Sequence, residues 1–225
     1  MGVLFIKKMI TILKKYIIKH FDTISFDIFD TLIERDVNIP SDIFYKVGLK
    51  ILGKNEAETF RKDRIEAEEK ARKSKLGGEV TLEEIYLLLP SKYYNKLDVL
   101  LRTEIETEIS LCHAKENIVS LLKELNGSKK IFLISDMYLP KEVIKKMLDK
   151  CNIHGYNNIY VSNEYGINKI SGRLFIKVFS VEKINPKRHL HIGDSIKADF
   201  LGAYRAGAHS YHIKRKSRLI RIFNK

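Results

Sequence analysis

The sequence predicts an α/β fold in which a doubly wound parallel sheet carries a helical cap insertion. Short apolar runs of strand length alternate with amphipathic helical patterns over much of the chain. Such alternation is typical of parallel sheets whose strands are buried between two layers of helices. It is interrupted once, over residues 36–113, where only helical patterns occur. The chain has 225 residues, 44% of them hydrophobic, which is enough to bury a core of this kind.

The predicted strands are apolar runs that stop at a polar residue. The first run, 24–26, ends at Asp27. Similar runs recur at 130–134, 159–161, 189–192 and 210–213. Amphipathic patterns between the later runs predict helices over 140–150, 172–183 and 198–206. Ligands of such sheets bind beyond the carboxyl ends of the strands. We therefore expect the polar residues that end three of the runs to lie at one crevice, namely Asp27, Ser135 and Asp194.

The interruption predicts a helical cap inserted after the first strand. Its helices are predicted at 42–52, 55–75, 82–89 and from residue 91 onwards. Ser41 is a candidate N-cap for the first of them, and Thr81 with Glu84 has the spacing of a capping box for the third. A helix over 114–126 leads back into the next strand. The chain is thus expected to divide into a core, 21–35 and 114–213, and a cap, 36–113.

The net charge of +13 is concentrated at the two ends of the chain. Residues 1–20 contain five lysines and residues 214–225 contain six basic residues, and neither segment contains an acid. Residues 21–213 are left with 30 basic and 28 acidic residues. A nucleic-acid-binding surface needs a basic stripe on the folded body. We therefore expect no nucleic-acid partner.

The chain is predicted to be cytoplasmic, with a peripheral membrane contact as one interpretation of its ends. Polar positions recur about every 3.5 residues over 3–18, which predicts a basic amphipathic helix. Its apolar runs are shorter than the ~20 residues of a membrane span. The helix either lies on an anionic membrane surface, aided by the basic tail 214–225, or packs its apolar side onto the domain.

Cys112 and Cys151 are too few for a disulfide framework and indicate reduced thiols.

Four short segments combine reactive side chains with the predicted strand ends. They are 26–32 with Asp27, 131–136 with Ser135, Lys169 shortly before Gly172, and 191–199 with Asp194 and Asp199. Each residue alone has an ordinary explanation, since a lone aspartate at a strand end is usually a turn residue or a helix cap. The occurrence of all four segments in this order indicates a functional site more strongly than any one residue does.

With these segments the chain resembles the haloacid dehalogenase (HAD) superfamily. That family has an aspartate ending its first strand with Thr-Leu four and five positions on, then a Ser or Thr ending a second strand, a lysine, and Gly-Asp-x-x-x-x-Asp. Here these are Asp27, Ser135, Lys169, Asp194 and Asp199, with 25 residues between Lys169 and Asp194, a usual interval. The resemblance covers 22–213 and implies a HAD-like Rossmannoid core with a cap in the first cap position.

The resemblance also implies a role for each residue. Asp27 would be the nucleophile, Ser135 would hydrogen-bond a phosphate oxygen, and Lys169 would neutralise charge between phosphate and Asp27. Mg²⁺ would be held by Asp27, the backbone carbonyl of Phe29, Asp194 and Asp199. The chemistry is consistent, because a carboxylate nucleophile splits phosphoryl transfer into two steps through an acyl phosphate. Mg²⁺ takes a few carboxylate oxygens and keeps its other places for water and phosphate.

One position departs from the phosphatases of this family. They carry a second aspartate two residues after the nucleophile, which protonates the leaving group, and this chain has Phe29 there. Losing a general acid typically costs ~10²–10⁴ in rate. Asp30 stands one residue after this position, so it could act as the acid only if a local distortion of the backbone brings its carboxyl to the same place. His113 is a further candidate acid. The dehalogenase branch also lacks this acid, but it usually lacks the full acidic metal motif that this chain keeps.

Three functions follow as hypotheses. The first is a Mg²⁺-dependent phosphatase or phosphotransferase that acts on a small phosphorylated metabolite through an aspartyl-phosphate at Asp27. The second is a catalytically weak module that binds a phosphorylated ligand, and the third is a dehalogenase-like hydrolase acting on a small organic acid. The first segment also looks like that of hydrolases found with bacterial surface-polysaccharide enzymes, which points to a sugar phosphate or nucleotide sugar as substrate.

Overall fold

The computed structural model describes residues 12–214, and at its centre is a five-stranded parallel sheet of order β5-β4-β1-β6-β7. Its strands are β1 Thr23–Phe26, β4 Lys130–Ser135, β5 Asn158–Val161, β6 His189–Gly193 and β7 His209–His212. A separate antiparallel pair is formed by β2 Ile33–Arg35 and β3 Cys112–Ala114. The five strands predicted from the apolar runs are confirmed, each to within one residue at either end.

Helices cover both faces of the sheet. They are α6 Glu116–Leu125, α7 Lys141–Lys150, α8 Ser162–Tyr165, α9 Arg173–Glu182 and α10 Gly202–Arg205. Within β4, Ile131 and Leu133 join the apolar cluster that contains α6 and α7 residues. Phe132 and Ile134, which point to the opposite face, join the cluster that contains α9 residues. The predicted doubly wound α/β fold is therefore confirmed.

The strand pair β2–β3 forms a stem on which the inserted helices sit, and the sequence did not predict it. Ile33 pairs with Ala114 and Arg35 pairs with Cys112, so the chain leaves and re-enters the core side by side. The elements between the two strands are α2 Asp42–Ile51, α3 Lys54–Ser74, α4 Leu82–Tyr86, a 3₁₀ helix Ser91–Lys96 and α5 Leu97–Leu111. The insertion is helical, as predicted.

Two details of the inserted helices differ from the prediction. Ser41 occupies the N-cap position of α2, but its side chain makes no capping hydrogen bond. The capping box of Thr81 and Glu84 is present, yet the helix that it starts ends at Tyr86 rather than at residue 89. Leu88 and Leu89 already make the tighter i→i+3 bonds. Pro90 contributes to the early end, because it has no N–H to donate to the Tyr86 carbonyl four residues back.

Residues 12–20 form helix α1, which packs on the core. Ile17 is fully buried in the main apolar cluster, and Lys14 pairs with Glu124 of α6 at 3.1 Å. The packing interpretation is therefore the one that holds for these residues. Residues 1–11 and 215–225 lie outside the described residues, and they contain seven of the eleven basic residues of the two ends. The predicted membrane contact therefore stays a prediction. No helix within 12–214 has the length and apolar character needed to cross a membrane.

A buried arginine ties the insertion to the core. Arg64 of α3 is completely buried and donates from Nε and Nη2 to both oxygens of Glu104, at 2.9 and 2.7 Å. Its guanidinium lies 4.3 Å from the ring centre of Phe44 and 4.9 Å from that of Tyr138. Tyr138 belongs to the core loop that follows β4. The pair therefore holds α3 and α5 together and places them against the core.

Replacing Arg64 by leucine is expected to lower the free energy of unfolding by about 3–5 kcal/mol, because the charge of Glu104 would stay buried without its partner. The measurement is urea unfolding followed by circular dichroism. Lys70→Leu is the matched control, since Lys70 is exposed and pairs with Glu66 on the same helix. That change should cost under about 1 kcal/mol. Equal losses for both variants would contradict a specific role of the buried pair.

Candidate active site

The three strand-end residues lie together at the carboxyl edge of the sheet. Asp27 directly follows the central strand β1, and its N–H donates to the carbonyl of Ile192 in β6 at 2.9 Å. Ser135 is the last residue of β4, and Asp194 directly follows β6. All three are buried and line one cavity of about 250 Å³. Because β4 and β6 flank β1, the strand order itself brings these side chains to the same place.

Lys169 reaches the same cavity from the loop between α8 and α9. Its Nζ donates to Oδ1 of Asp27 and to Oδ1 of Asp199, both at 2.6 Å. The carboxylate of Asp136 accepts two hydrogen bonds from the backbone N–H of Lys169, at 2.9 and 3.1 Å. Gly202 permits this approach, because a Cβ there would lie only 2.1 Å from the Lys169 carbonyl oxygen. The lysine is thus fixed at its backbone and at its amine.

Asp199 lies on a π-helix, Ile196–Leu201, that precedes α10. The sequence predicts a helix over 198–206, and the structure has a helix over 196–205 whose first part is this π-helix. The hydroxyl of Ser195 caps the helix by accepting from the N–H of Ala198. Asp199 Oδ2 accepts from the N–H of Ser195 at 2.8 Å. The N–H of Phe200 donates to the carbonyl of Ser195, five residues back, at 3.1 Å, which is the wider turn of a π-helix. Gly193 leaves room for the carboxylate, since a Cβ there would lie 2.3 Å from Asp199 Cγ.

The buried charges of the cavity shift one another's protonation. Burial raises the pKa of Asp27, and the nearby charge of Asp199 raises it further while Lys169 opposes both. Burial also disfavours the charged form of Asp199, but Lys169 and the hydrogen bond from His191 hold the pKa of Asp199 well below its usual range. Burial alone would lower the pKa of Lys169, yet the surrounding carboxylates raise it. The amine therefore stays charged between two aspartates.

Three carboxylates of this cavity fit a divalent cation. Asp27, Asp194 and Asp199 each offer an oxygen, and these three oxygens lie within 4.8 Å of one another. Within residues 12–214 it is the one group of this kind that could hold a metal ion. Carboxylate oxygens are the ligands of hard cations such as Mg²⁺. Asp199 already accepts three hydrogen bonds from protein donors, namely Lys169, His191 and the backbone N–H of Ser195.

Ser135 presents a buried hydroxyl to the cavity. Its side-chain oxygen has no hydrogen-bond partner among the described residues, although the residue is almost completely buried. A buried polar atom without a partner costs about 1–3 kcal/mol, so it usually has a function when it lines a cavity. A ligand oxygen placed beside Asp27 would give Ser135 the missing partner.

Phe29 lines the cavity at the position of the absent second aspartate. Its ring lies under the guanidinium of Arg35, 4.4 Å from centroid to Cζ, and Arg35 is held in turn by Glu108 at 2.7 Å. A salt-bridged arginine of the stem thus covers the aromatic ring. The Phe29 carbonyl as a metal ligand stays a prediction.

The two candidate replacements for the missing acid have different positions. Asp30 lines the cavity and has a left-handed backbone with φ +60°, and its role as a replacement acid stays a prediction. His113 lies on the exposed side of β3 and does not line this cavity, and its Nε2 is 3.7 Å from Glu34. The structure therefore gives no support to His113 as an acid.

Sequence reasoning missed several residues that shape this site. Asp136 stands beside Ser135 in the second segment, but nothing in the sequence indicates that it holds the Lys169 backbone. His191 is fully buried and contacts Asp199 through Nε2 at 3.1 Å. Gly202 lets α10 approach the lysine loop, and a lone glycine in a helical pattern does not indicate which segment it faces. A polar residue inside an apolar run was the one available signal for His191.

Comparison with known proteins identifies a family. Residues 21–207 match the family model described as a haloacid dehalogenase-like hydrolase. Among solved structures, YfnB from Bacillus subtilis, described as a HAD-hydrolase bound to magnesium, is 18% identical, with a TM-score of 0.61 over 92% of this chain and 100% of that one. The HAD family enzyme bt-2542 from Bacteroides thetaiotaomicron is 18% identical, with a TM-score of 0.61 over 91% and 99%.

A dehalogenase has a fold as similar to that of this chain, judged by its TM-score, as these two proteins have. L-2-haloacid dehalogenase from Xanthobacter autotrophicus, with chloropropionic acid covalently bound, is 13% identical, with a TM-score of 0.62 over 88% of this chain and 79% of that one. The comparison with curated proteins finds no match. At these identities the structures show a shared fold, while the family model covers most of the chain. The chain belongs to the haloacid dehalogenase-like hydrolases.

Proposed function

We propose that this protein is a Mg²⁺-dependent phosphatase or phosphotransferase that acts on a small phosphorylated metabolite through an aspartyl-phosphate at Asp27. The observation that carries the proposal is the cluster of Asp27, Asp194 and Asp199 around one point, with Lys169 bonded to two of them. This is the charge arrangement that phosphoryl transfer needs, since the transferred group brings several negative oxygens to a carboxylate nucleophile.

In the proposed reaction an oxygen of Asp27 attacks phosphorus, and the bond from phosphorus to the leaving-group oxygen breaks. Lys169 offsets the charge between the incoming phosphate and Asp27. The hydroxyl of Ser135 donates to a phosphate oxygen. Water or an acceptor hydroxyl then attacks the acyl phosphate, which releases the phosphoryl group and regenerates Asp27. Mg²⁺, held by Asp27 and Asp194 with Asp199 and the Phe29 carbonyl, would neutralise phosphate charge and orient its oxygens.

Phe29 restricts which substrates this site can process. No aspartate stands two residues beyond the nucleophile to protonate the departing oxygen. Substrates with stable leaving groups lose least from this absence, because their departing oxygen needs little protonation. A cavity of about 250 Å³ also favours a small substrate. A nucleotide sugar cleaved at its diphosphate agrees with the first restriction, because a phosphate ester is then the leaving group, and a sugar phosphate agrees with the second.

The test is turnover of a panel of phosphate esters with Mg²⁺ and with EDTA, together with trapping of the phosphoenzyme. Hydroxylamine converts an aspartyl-phosphate to a hydroxamate, which mass spectrometry can place at Asp27. We expect metal-dependent phosphate release and a modified Asp27. Metal-independent halide release from 2-chloropropionate would instead support the chemistry of the dehalogenase neighbours. Saturable phosphate binding without turnover of any ester in the panel would overturn the proposal and support a binding module.

A further inference from the structure

Four polar side chains run through the interior of the sheet behind the active site. Thr23 and Ser25 lie on β1, and His189 and His191 lie opposite them on the neighbouring strand β6. Residues two apart on a strand point to the same face, so the four form one row. Ser25, His189 and His191 are completely buried. The proposed chemistry uses none of them, and buried polar groups are costly unless each finds a partner.

These side chains form a continuous series of hydrogen bonds that ends at Asp199. Thr23 Oγ1 lies 2.7 Å from Nδ1 of His189, and Nε2 of His189 lies 2.8 Å from Ser25 Oγ. Ser25 Oγ lies 2.7 Å from Nδ1 of His191, and Nε2 of His191 lies 3.1 Å from Asp199 Oδ1. The same Asp199 oxygen accepts from Lys169. We call Thr23, His189, Ser25 and His191 the polar chain.

The chemistry of the groups gives the polar chain one direction. An ionised carboxylate only accepts hydrogen bonds, so His191 must donate to Asp199 from Nε2. The Nδ1 of a neutral His191 then accepts, and the hydroxyl of Ser25 supplies the proton. Because that proton is used, Ser25 can only accept from Nε2–H of His189. The hydroxyl of Thr23 completes the series by donating to His189.

Two further observations agree with neutral rings in fixed orientations. Burial lowers the pKa of His189 to about 3. His191 is completely buried and shares its Asp199 oxygen with the Lys169 amine, and both features disfavour a second positive charge on this ring. Phe175 packs edge-on against His191 at 4.7 Å between ring centres, and Phe179 packs edge-on against His189 at 4.9 Å. Ring rotation is thus restricted while every ring nitrogen has a partner. Chains of this kind polarise one another, which strengthens the last bond to the carboxylate.

We propose that the polar chain is a positioning device, in which every donor points toward Asp199 and His191 holds that carboxylate in the orientation that Lys169 and the metal site require. The assignment of hydrogen-bond direction stands on the distances and on neutral, buried histidine rings, and it does not depend on the proposed function. The consequence for the metal rests on the proposed function. A row that merely fills the interior would affect stability, whereas a positioning device also sets metal affinity, as partners of metal-binding carboxylates do.

The first test is nitrogen-15 NMR of the whole protein at neutral pH, which distinguishes the two neutral tautomers of each histidine. His191→Gln and His189→Gln identify the two signals among the seven histidines. We expect both rings to be neutral and protonated at Nε2. A proton on Nδ1 of His191, or a doubly protonated ring, would overturn the assigned direction.

The second test measures Mn²⁺ binding, as a substitute for Mg²⁺, by electron paramagnetic resonance. His191→Phe keeps a ring against Phe175 but removes the donor, and we expect it to weaken Mn²⁺ binding by about 10–100-fold. His191→Gln can still donate an N–H to Asp199 and should restore most of the affinity. Ser25→Ala leaves the ring in place but removes its orienting donor, so it should lower affinity even if His191→Phe fails to fold.

Wild-type affinity in a folded His191→Phe or Ser25→Ala variant would overturn the positioning role. So would equal losses in His191→Phe and His191→Gln, because the donor would then not matter. Ser128→Ala is the control, a hydroxyl of the loop between α6 and β4 that bonds a backbone carbonyl. Neither test uses turnover. The proposed function can therefore fail, for want of a substrate, while the polar chain is still supported or refuted.

Discussion

Replacing Asp27 by asparagine is expected to lower kcat by at least about 10⁴-fold, the largest effect of any single change in this chain. An amide cannot serve as the nucleophile, and the change also removes a charged oxygen from the carboxylate cluster. The fold should survive, because burial already disfavours the charge of Asp27 and the amide has the same shape. Lys169 retains its bond to Asp199.

The measurement is steady-state phosphate release at saturating Mg²⁺, with circular dichroism and urea unfolding to verify the fold. Asp98→Asn is the matched control, since Asp98 is an exposed aspartate of α5 far from the cavity lining. It should keep full activity. Turnover in Asp27→Asn within tenfold of the wild type would show that another group is the nucleophile, and would remove the aspartyl-phosphate from the proposed mechanism.

The sequence could predict the strand-end residues because two simple rules act together. Apolar runs identify buried strands, and a parallel sheet collects the residues that follow those strands at one edge. Asp27, Ser135 and Asp194 satisfy both rules, and the structure brings them to one cavity. Lys169 is different, because it lies on a loop with no periodicity. Only the order of the motifs pointed to it.

The remaining features depend on contacts that a linear pattern does not contain. The stem strands β2 and β3 have three residues each, too few to show alternation, and their partners are 77 residues or more apart in the sequence. His189 and His191 look like interruptions of an apolar run until the neighbouring strand supplies Thr23 and Ser25. The role of Gly202 is visible only when the Lys169 carbonyl is placed against it.

Replacing Phe29 by aspartate is expected to raise kcat for poor leaving groups by about 10²–10⁴-fold. The introduced carboxyl would stand two residues after Asp27, on the lining of the same cavity. There it could protonate the departing oxygen and then accept a proton from the attacking water. Substrates with good leaving groups, such as 4-nitrophenyl phosphate, should gain much less in the first step, because their leaving group departs without a proton.

The change also has a structural cost that can be measured separately. Phe29 loses its contact with the Arg35 guanidinium, which is worth about 0.5–2 kcal/mol, so the free energy of unfolding should fall by a similar amount. Arg35 keeps its bond to Glu108, which should hold the stem in place. Urea unfolding of the variant tests this, and a loss above about 4 kcal/mol would indicate a wider collapse of the cavity wall.

Phe29→Asn is the matched control, because it removes the same ring and adds a polar group of the same shape that cannot transfer a proton. Activity of Phe29→Asp on alkyl phosphates should therefore exceed that of Phe29→Asn by about 10²-fold or more. Equal activity of the two variants would contradict general acid–base catalysis from this position. A gain would show that Asp27, Lys169 and the carboxylate cluster form a complete site that lacks only its proton donor, which a pure binding module has no reason to preserve.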